Sequence, residues 1–70
     1  MKYREVAKKL RKLGCYELRR SSGTSHRKWY NPQTNQAASV PDWGAKDLKL
    51  GTLQAIVKQL GLDWEAFKKT

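Results

Sequence analysis

The chain is 70 residues long and carries 15 Lys and Arg against 6 Asp and Glu, a formal charge of +9 with a pI near 10.1. That length supports one domain over residues 1–70 and only a thin core, which disfavours deep substrate cavities and multilayer cofactor folds. The apolar and aromatic fraction of 39% is enough for a folded domain, and the longest apolar run, Ala55–Val57, is too short for a membrane span or a secretory signal.

A lone Cys15 permits no internal disulfide and suits a cytoplasmic protein. One His and one Cys cannot make a zinc cluster, and the carboxylates lack the close spacing of a calcium loop, so neither metal nor other cofactor is expected. The charge is uneven. Residues 1–30 hold ten basic and two acidic groups, a balance of +8, whereas residues 31–70 hold five and four, a balance of +1. Such a basic segment gains affinity for phosphates by displacing counterions, so a polyanion is the natural partner. A solvated, solubility-promoting face and an anionic membrane surface are the alternatives.

Along the chain, Tyr3, Val6, Ala7, Leu10 and Leu13 form one stripe of a helix over roughly 2–13, with Gly14 at its end. Cys15–Arg20 reads as a strand in which Tyr16 and Leu18 alternate with Glu17 and Arg19. Ser21–Thr24 reads as a turn, and Ser25–Tyr30 as a second strand. Asn31–Asn35 has the Pro and Asn of a hairpin loop, and Gln36–Val40 pairs back as a third strand stopped by Pro41. Residues 42–50 read as a loop holding Trp43. A second helix starts near Thr52, with Leu53, Ile56, Val57 and Leu60 on one stripe and Gly61 as its stop. Asp63 caps a short last helix, with Leu62 and Phe67 at hydrophobic-staple spacing. The expected fold is an α+β two-layer sandwich with one sheet face covered by helices and one open.

His26 is the only histidine and hence the simplest candidate for a general base near neutral pH. If Trp29 packs on the helices, Arg27 shares its side of the strand, while His26, Lys28 and Tyr30 point from the open face. A base there can take the proton of a ribose 2′-OH, an acid can protonate the leaving 5′-oxygen, and cations can stabilise the phosphoryl oxygens. The plain alternative makes His26 an ordinary surface strand residue. Lys28 and Tyr30 are candidates for the phosphate contact or the acid, or else belong to a solvated strand face. Arg19 and Arg20 are candidates for phosphate contacts near the His26 turn. Trp43 can stack on an unpaired base, although a tryptophan in so small a chain is more often core, as Trp29 and Trp64 are read here.

Ser25-His26-x-x-Trp29, Pro32, Val40-Pro41, Lys46-Asp47-Leu48, Gly51-Thr52-Leu53, Ile56, Lys58-Gln59 and Gly61-Leu62, with Leu13-Gly14 closing the first helix, together resemble the HicA (YcfA-like) mRNA interferase toxins. The resemblance runs through nearly the whole chain. It implies a double-stranded-RNA-binding-type fold, α-β-β-β-α, and metal-independent ribonuclease activity on mRNA with His26 as the catalytic residue. It also implies a supporting role for Ser25 and neutralisation by a HicB-like antitoxin. With the basic neighbours, the expected RNA-binding set is Arg19, Arg20, Ser25, Arg27, Lys28 and Tyr30. Two features depart from the family pattern: Thr24 stands where Gly usually precedes Ser-His, with Gly23 one place earlier, and the Gly14–Ser25 stretch is longer than usual. A non-catalytic RNA-binding module is the alternative reading; the helix from Thr52 carries only Lys58, which is poor in the basic groups duplex binding needs.

Overall fold

A computed structural model describes residues 1–18 and 26–70. Its elements in chain order are α1 (Tyr3–Lys12), β1 (Tyr16–Glu17), β2 (His26–Asn31), β3 (Gln36–Pro41), α2 (Leu50–Gln59) and α3 (Trp64–Lys69). The strands form one antiparallel sheet in the order β1-β2-β3. The layout is the expected α-β-β-β-α sandwich with a short helix at the end. Trp29, Ala38 and Val40 from the sheet share one core cluster with Val6, Ala7 and Leu10 of α1, Leu53, Ile56 and Val57 of α2, and Phe67 of α3.

Both long helices end by the same device. Gly14 and Gly61 have φ of +91° and +68°, a conformation costly for residues with a Cβ. At each, the glycine N–H and the next N–H fold back onto carbonyls of the last turn: Gly14 to Arg11 and Cys15 to Leu10, Gly61 to Lys58 and Leu62 to Val57. These bonds satisfy carbonyls that the helix itself leaves unpaired. A Cβ on Gly61 would also collide with the side chains of Gln36 and Thr34, so the glycine lets the β2–β3 hairpin approach the end of α2.

That approach is sealed by polar groups. Asn31, fully buried, donates from Nδ2 to the Leu60 carbonyl at 2.7 Å, and the Thr34 hydroxyl donates to the same oxygen at 2.8 Å. Asn31 Oδ1 also accepts from the Gln33 N–H at 3.1 Å, which bends the chain into the hairpin loop. Asn35, the last loop residue, takes a φ of +54°. Asp63 caps α3 through the Ala66 N–H at 3.1 Å, as its sequence position implies.

Several expectations need correction. The first strand is two residues long, and its inward residue is Glu17 rather than Tyr16, which is 49% exposed. The part of the expected strand at Arg19 and Arg20, and the expected turn at Ser21–Thr24, lie outside the described residues. Pro41 does not stop β3 but is its last residue, paired with His26; an edge strand tolerates the missing N–H. α2 begins at Leu50, two residues before the expected start. Trp43 is not core: it is 43% exposed in the loop after β3, whereas Trp29 is fully buried. Trp64 sits half-buried at the rim, its ring stacked on Phe67 at a centroid distance of 5.6 Å.

Asn31→Ala takes the buried amide's donation away from the Leu60 carbonyl and leaves the Thr34 hydroxyl on it. The expected cost is about 1–3 kcal/mol, read as a lower urea midpoint at unchanged slope; an unchanged midpoint would remove Asn31 from the docking of hairpin on helix.

Candidate active site

The β2 sequence His26-Arg27-Lys28-Trp29-Tyr30-Asn31 alternates between two environments. Arg27 is half-buried and Trp29 and Asn31 are buried on the helix side, whereas His26 and Lys28 are exposed and Tyr30 is half-buried on the other side. Strand partners face the same way as the residues they pair with. Tyr16 stands opposite Tyr30 with ring centroids 5.6 Å apart in an edge-on arrangement, and Ser39 stands opposite Lys28. The open face therefore presents an imidazole, an ammonium, two phenols and a hydroxyl along one strand and its neighbours. The Tyr30 hydroxyl donates to Asn35 Oδ1 at 2.6 Å, which fixes the ring at the hairpin end of the strand.

The helix side of the same strand is held by a connected polar set. The Trp29 indole N–H donates to the Tyr3 hydroxyl at 3.2 Å, and that hydroxyl donates to Glu17 Oε1, also at 3.2 Å. Arg27 bonds Glu17 Oε2 through Nη1 at 3.1 Å and Asp42 Oδ2 through Nε at 2.8 Å, and its guanidinium lies 5.5 Å from the Tyr3 ring centre. The hydrogen bond to Glu17, with the Asp42 contact behind it, holds the Arg27 guanidinium above its ordinary pKa. Arg11 covers the Trp29 ring from α1, its guanidinium 5.2 Å from the ring centre. These contacts tie β1, β2, α1 and the start of the loop after β3 into one unit.

Of the sequence-predicted residues, the structure brings His26, Lys28 and Tyr30 onto one face. It does not bring Arg27 there: the guanidinium is committed to two carboxylates on the opposite side. Arg19, Arg20 and Ser25 lie outside the described residues, as do Gly23 and Thr24 of the departing turn. Among the described residues, no group of three or more His, Cys, Asp or Glu could hold a metal ion, and no helix is long and apolar enough to cross a membrane. Cys15 is buried, which pushes its thiol pKa up and keeps it in the unreactive protonated form. The role of Glu17 as a structural anchor was not apparent from the sequence; the available signal was a lone acid between Tyr16 and Leu18 in the expected first strand.

A family model described as HicA toxin of bacterial toxin-antitoxin matches residues 3–62, which include every element except α3. No curated protein and no solved structure matches the chain.

The polar set makes a prediction about alkaline pH. Burial pushes the Tyr3 phenol above its ordinary value of 10.0; the Trp29 donation opposes this, and the Glu17 carboxylate adds to it. A raised native pKa stabilises the fold fully below the unfolded value and is lost as pH rises through the native one. Stability should therefore decline above about pH 10. Tyr3→Phe should lower the urea midpoint at neutral pH and flatten that alkaline decline; an equally steep decline in Tyr3→Phe would take the phenol out of the account.

Proposed function

The chain belongs to the HicA toxin family of bacterial toxin–antitoxin systems, and on that premise we propose that it is a metal-independent endoribonuclease that cleaves mRNA at His26. The observation that carries the proposal is the alternation of β2, which buries Trp29 completely and leaves His26 and Lys28 exposed on the uncovered face. A flexible RNA strand can reach an open sheet face.

In the proposed reaction, His26 takes the proton of a ribose 2′-OH, and the freed oxygen attacks the adjacent phosphorus. The bond from phosphorus to the 5′-oxygen breaks, and that oxygen leaves with a proton from an acid. The products are a 2′,3′-cyclic phosphate and a 5′-hydroxyl. The Lys28 ammonium, two positions along the same face, stabilises the negative charge that develops on the phosphoryl oxygens. Lys28 and Tyr30 are the candidates for the acid; Tyr30 lies four positions from His26 on the same face, with its hydroxyl oriented by Asn35. Ser25 directly precedes His26 in sequence and supports it, and Arg19 and Arg20, further upstream, supply additional phosphate contacts. Arg27 acts from behind, by fixing β2 against Glu17 and Asp42.

The toxin family implies an antitoxin partner. A HicB-like protein that covers the open face would mask His26 directly, and its acidic surface would be drawn to the basic half of the chain. Substrate and partner both place the protein in the cytoplasm.

Purified protein should cut single-stranded RNA in the presence of a chelator and leave cyclic phosphate ends. His26→Ala should lower the rate by roughly 10²–10⁴-fold while RNA affinity is retained. Full activity in His26→Ala would overturn the proposal, and binding without cleavage by either protein would instead make the chain a non-catalytic RNA-binding module.

A further inference from the structure

The open face of the sheet is not purely polar. An antiparallel sheet with one side to water normally turns apolar residues inward and polar residues outward. His26, Lys28 and Ser39 follow that pattern, but the same face also holds Tyr16, Tyr30 and Leu18. Leu18 belongs there because its N–H donates to the Lys28 carbonyl at 2.7 Å, which continues the β1–β2 register one residue past Glu17. β1 is inverted as a result. The carboxylate of Glu17 is turned to the helices and the Tyr16 ring to water, the reverse of what burial alone favours.

The outward ring is also held in place. Its strand partner Tyr30 lies 5.6 Å away, centroid to centroid, with the ring planes at 67°. Tyr30 is itself fixed, since its hydroxyl donates to Asn35 Oδ1 at 2.6 Å. In an edge-on pair one ring covers at most one face of the other, so Tyr30 leaves a face of Tyr16 uncovered. A flat, exposed and braced ring is a platform for a nucleic-acid base, which every base can use because each has a π-face. Bracing by Tyr30 also means that little side-chain freedom is lost on binding.

The same face carries the charge that a phosphate backbone needs. Lys28 is exposed on β2 between His26 and Tyr30, and Ser39 stands across from it on β3. At a strand rise of about 3.3 Å per residue, His26 and Tyr30 are about 13 Å apart along β2, with Lys28 midway. Tyr16 pairs with Tyr30, so a similar span separates it from His26 in the strand direction. A strand laid along β2 thus meets the imidazole, the ammonium and the aromatic pair in turn. Bases inside a duplex cannot reach such a ring, so the ring favours unpaired RNA. We propose that Tyr16, braced by Tyr30, forms a subsite that stacks an unpaired base of an RNA strand lying along β2, a nucleotide or two from the one at His26. The inference rests on the ribonuclease reading for its substrate class and adds the residue that grips the strand beside the point of cleavage.

The test uses two labelled probes of equal length: a 2′-O-methylated single-stranded oligoribonucleotide, which lacks the attacking 2′-OH, and the same backbone without bases. Tyr16→Ala should weaken binding of the first by about five- to 150-fold, as expected for the loss of one stacked base, and leave the second unchanged. Tyr16→Phe should retain the affinity, because stacking needs the ring and not the hydroxyl. Lys28→Ala should weaken both probes alike, because it meets phosphate. In the native protein, the strand with bases should move the Tyr16 ring-proton resonances upfield and the abasic strand should not; this reading decides the matter if Tyr16→Ala fails to fold. Unchanged affinity of Tyr16→Ala for the strand with bases would overturn the subsite, as would an equal loss on both probes by the folded variant, unmoved Tyr16 resonances or no RNA binding by any form. If cleavage of unmodified RNA depends on His26 but Tyr16→Ala binds as the native protein does, the subsite alone fails. If Tyr16→Ala loses base-dependent binding while His26→Ala cuts RNA normally, the ribonuclease assignment to His26 fails and the subsite stands.

Discussion

The burial of Trp29 decides what the open face can do. Its ring is fully enclosed, its indole N–H reaches the Tyr3 hydroxyl, and Arg11 lies over it from α1. A large buried aromatic contributes on the order of 3–5 kcal/mol, a large share of the stability available to a domain this small. Side chains alternate strictly along a strand, so fixing Trp29 inward fixes His26 and Lys28 outward. A slip of one residue would put the imidazole in the core and the indole in water. The site is thus held by packing on the far side of the sheet.

Electrostatics is sorted by the same alternation. Arg27 faces the helices, where Glu17 and Asp42 meet it and neutralise its charge. The basic excess is left to outward groups, among them Lys28 on β2 and the exposed Arg4, Lys8, Arg11 and Lys12 on α1. Long-range attraction of this kind brings a polyanion to the surface and weakens with salt. It does not select a bond to break; in the proposed reaction that falls to His26 and its neighbours.

Much of this was legible in the residues. The apolar stripes of α1 and α2, Gly14 and Gly61 at their ends, and Asp63 before α3 all lie where local chemistry predicts, because each rests on interactions within a few residues. The face of His26 was legible for a similar reason, since one tryptophan sets the parity of a six-residue strand. β1 was misread because alternation assumes that charge points to water; Glu17 points inward because Tyr3 and Arg27, distant in sequence, satisfy it there. Trp43 was misread because aromatic size suggests burial, yet Trp29, Phe67 and the aliphatic residues already fill the core. Asn31 read as a loop residue, and its buried bond to the end of α2 needed the fold.

The central claim, that the single exposed imidazole performs the chemistry, is tested most directly by modifying that group alone. The chain has one histidine, so carbethoxylation with diethyl pyrocarbonate can be followed to one imidazole per molecule by its absorbance. The account predicts that RNA cleavage falls in proportion to imidazole modified, that bound RNA slows the modification, and that hydroxylamine restores both the imidazole and the activity. Protein with its imidazole fully modified that still cleaves RNA at the native rate would contradict it.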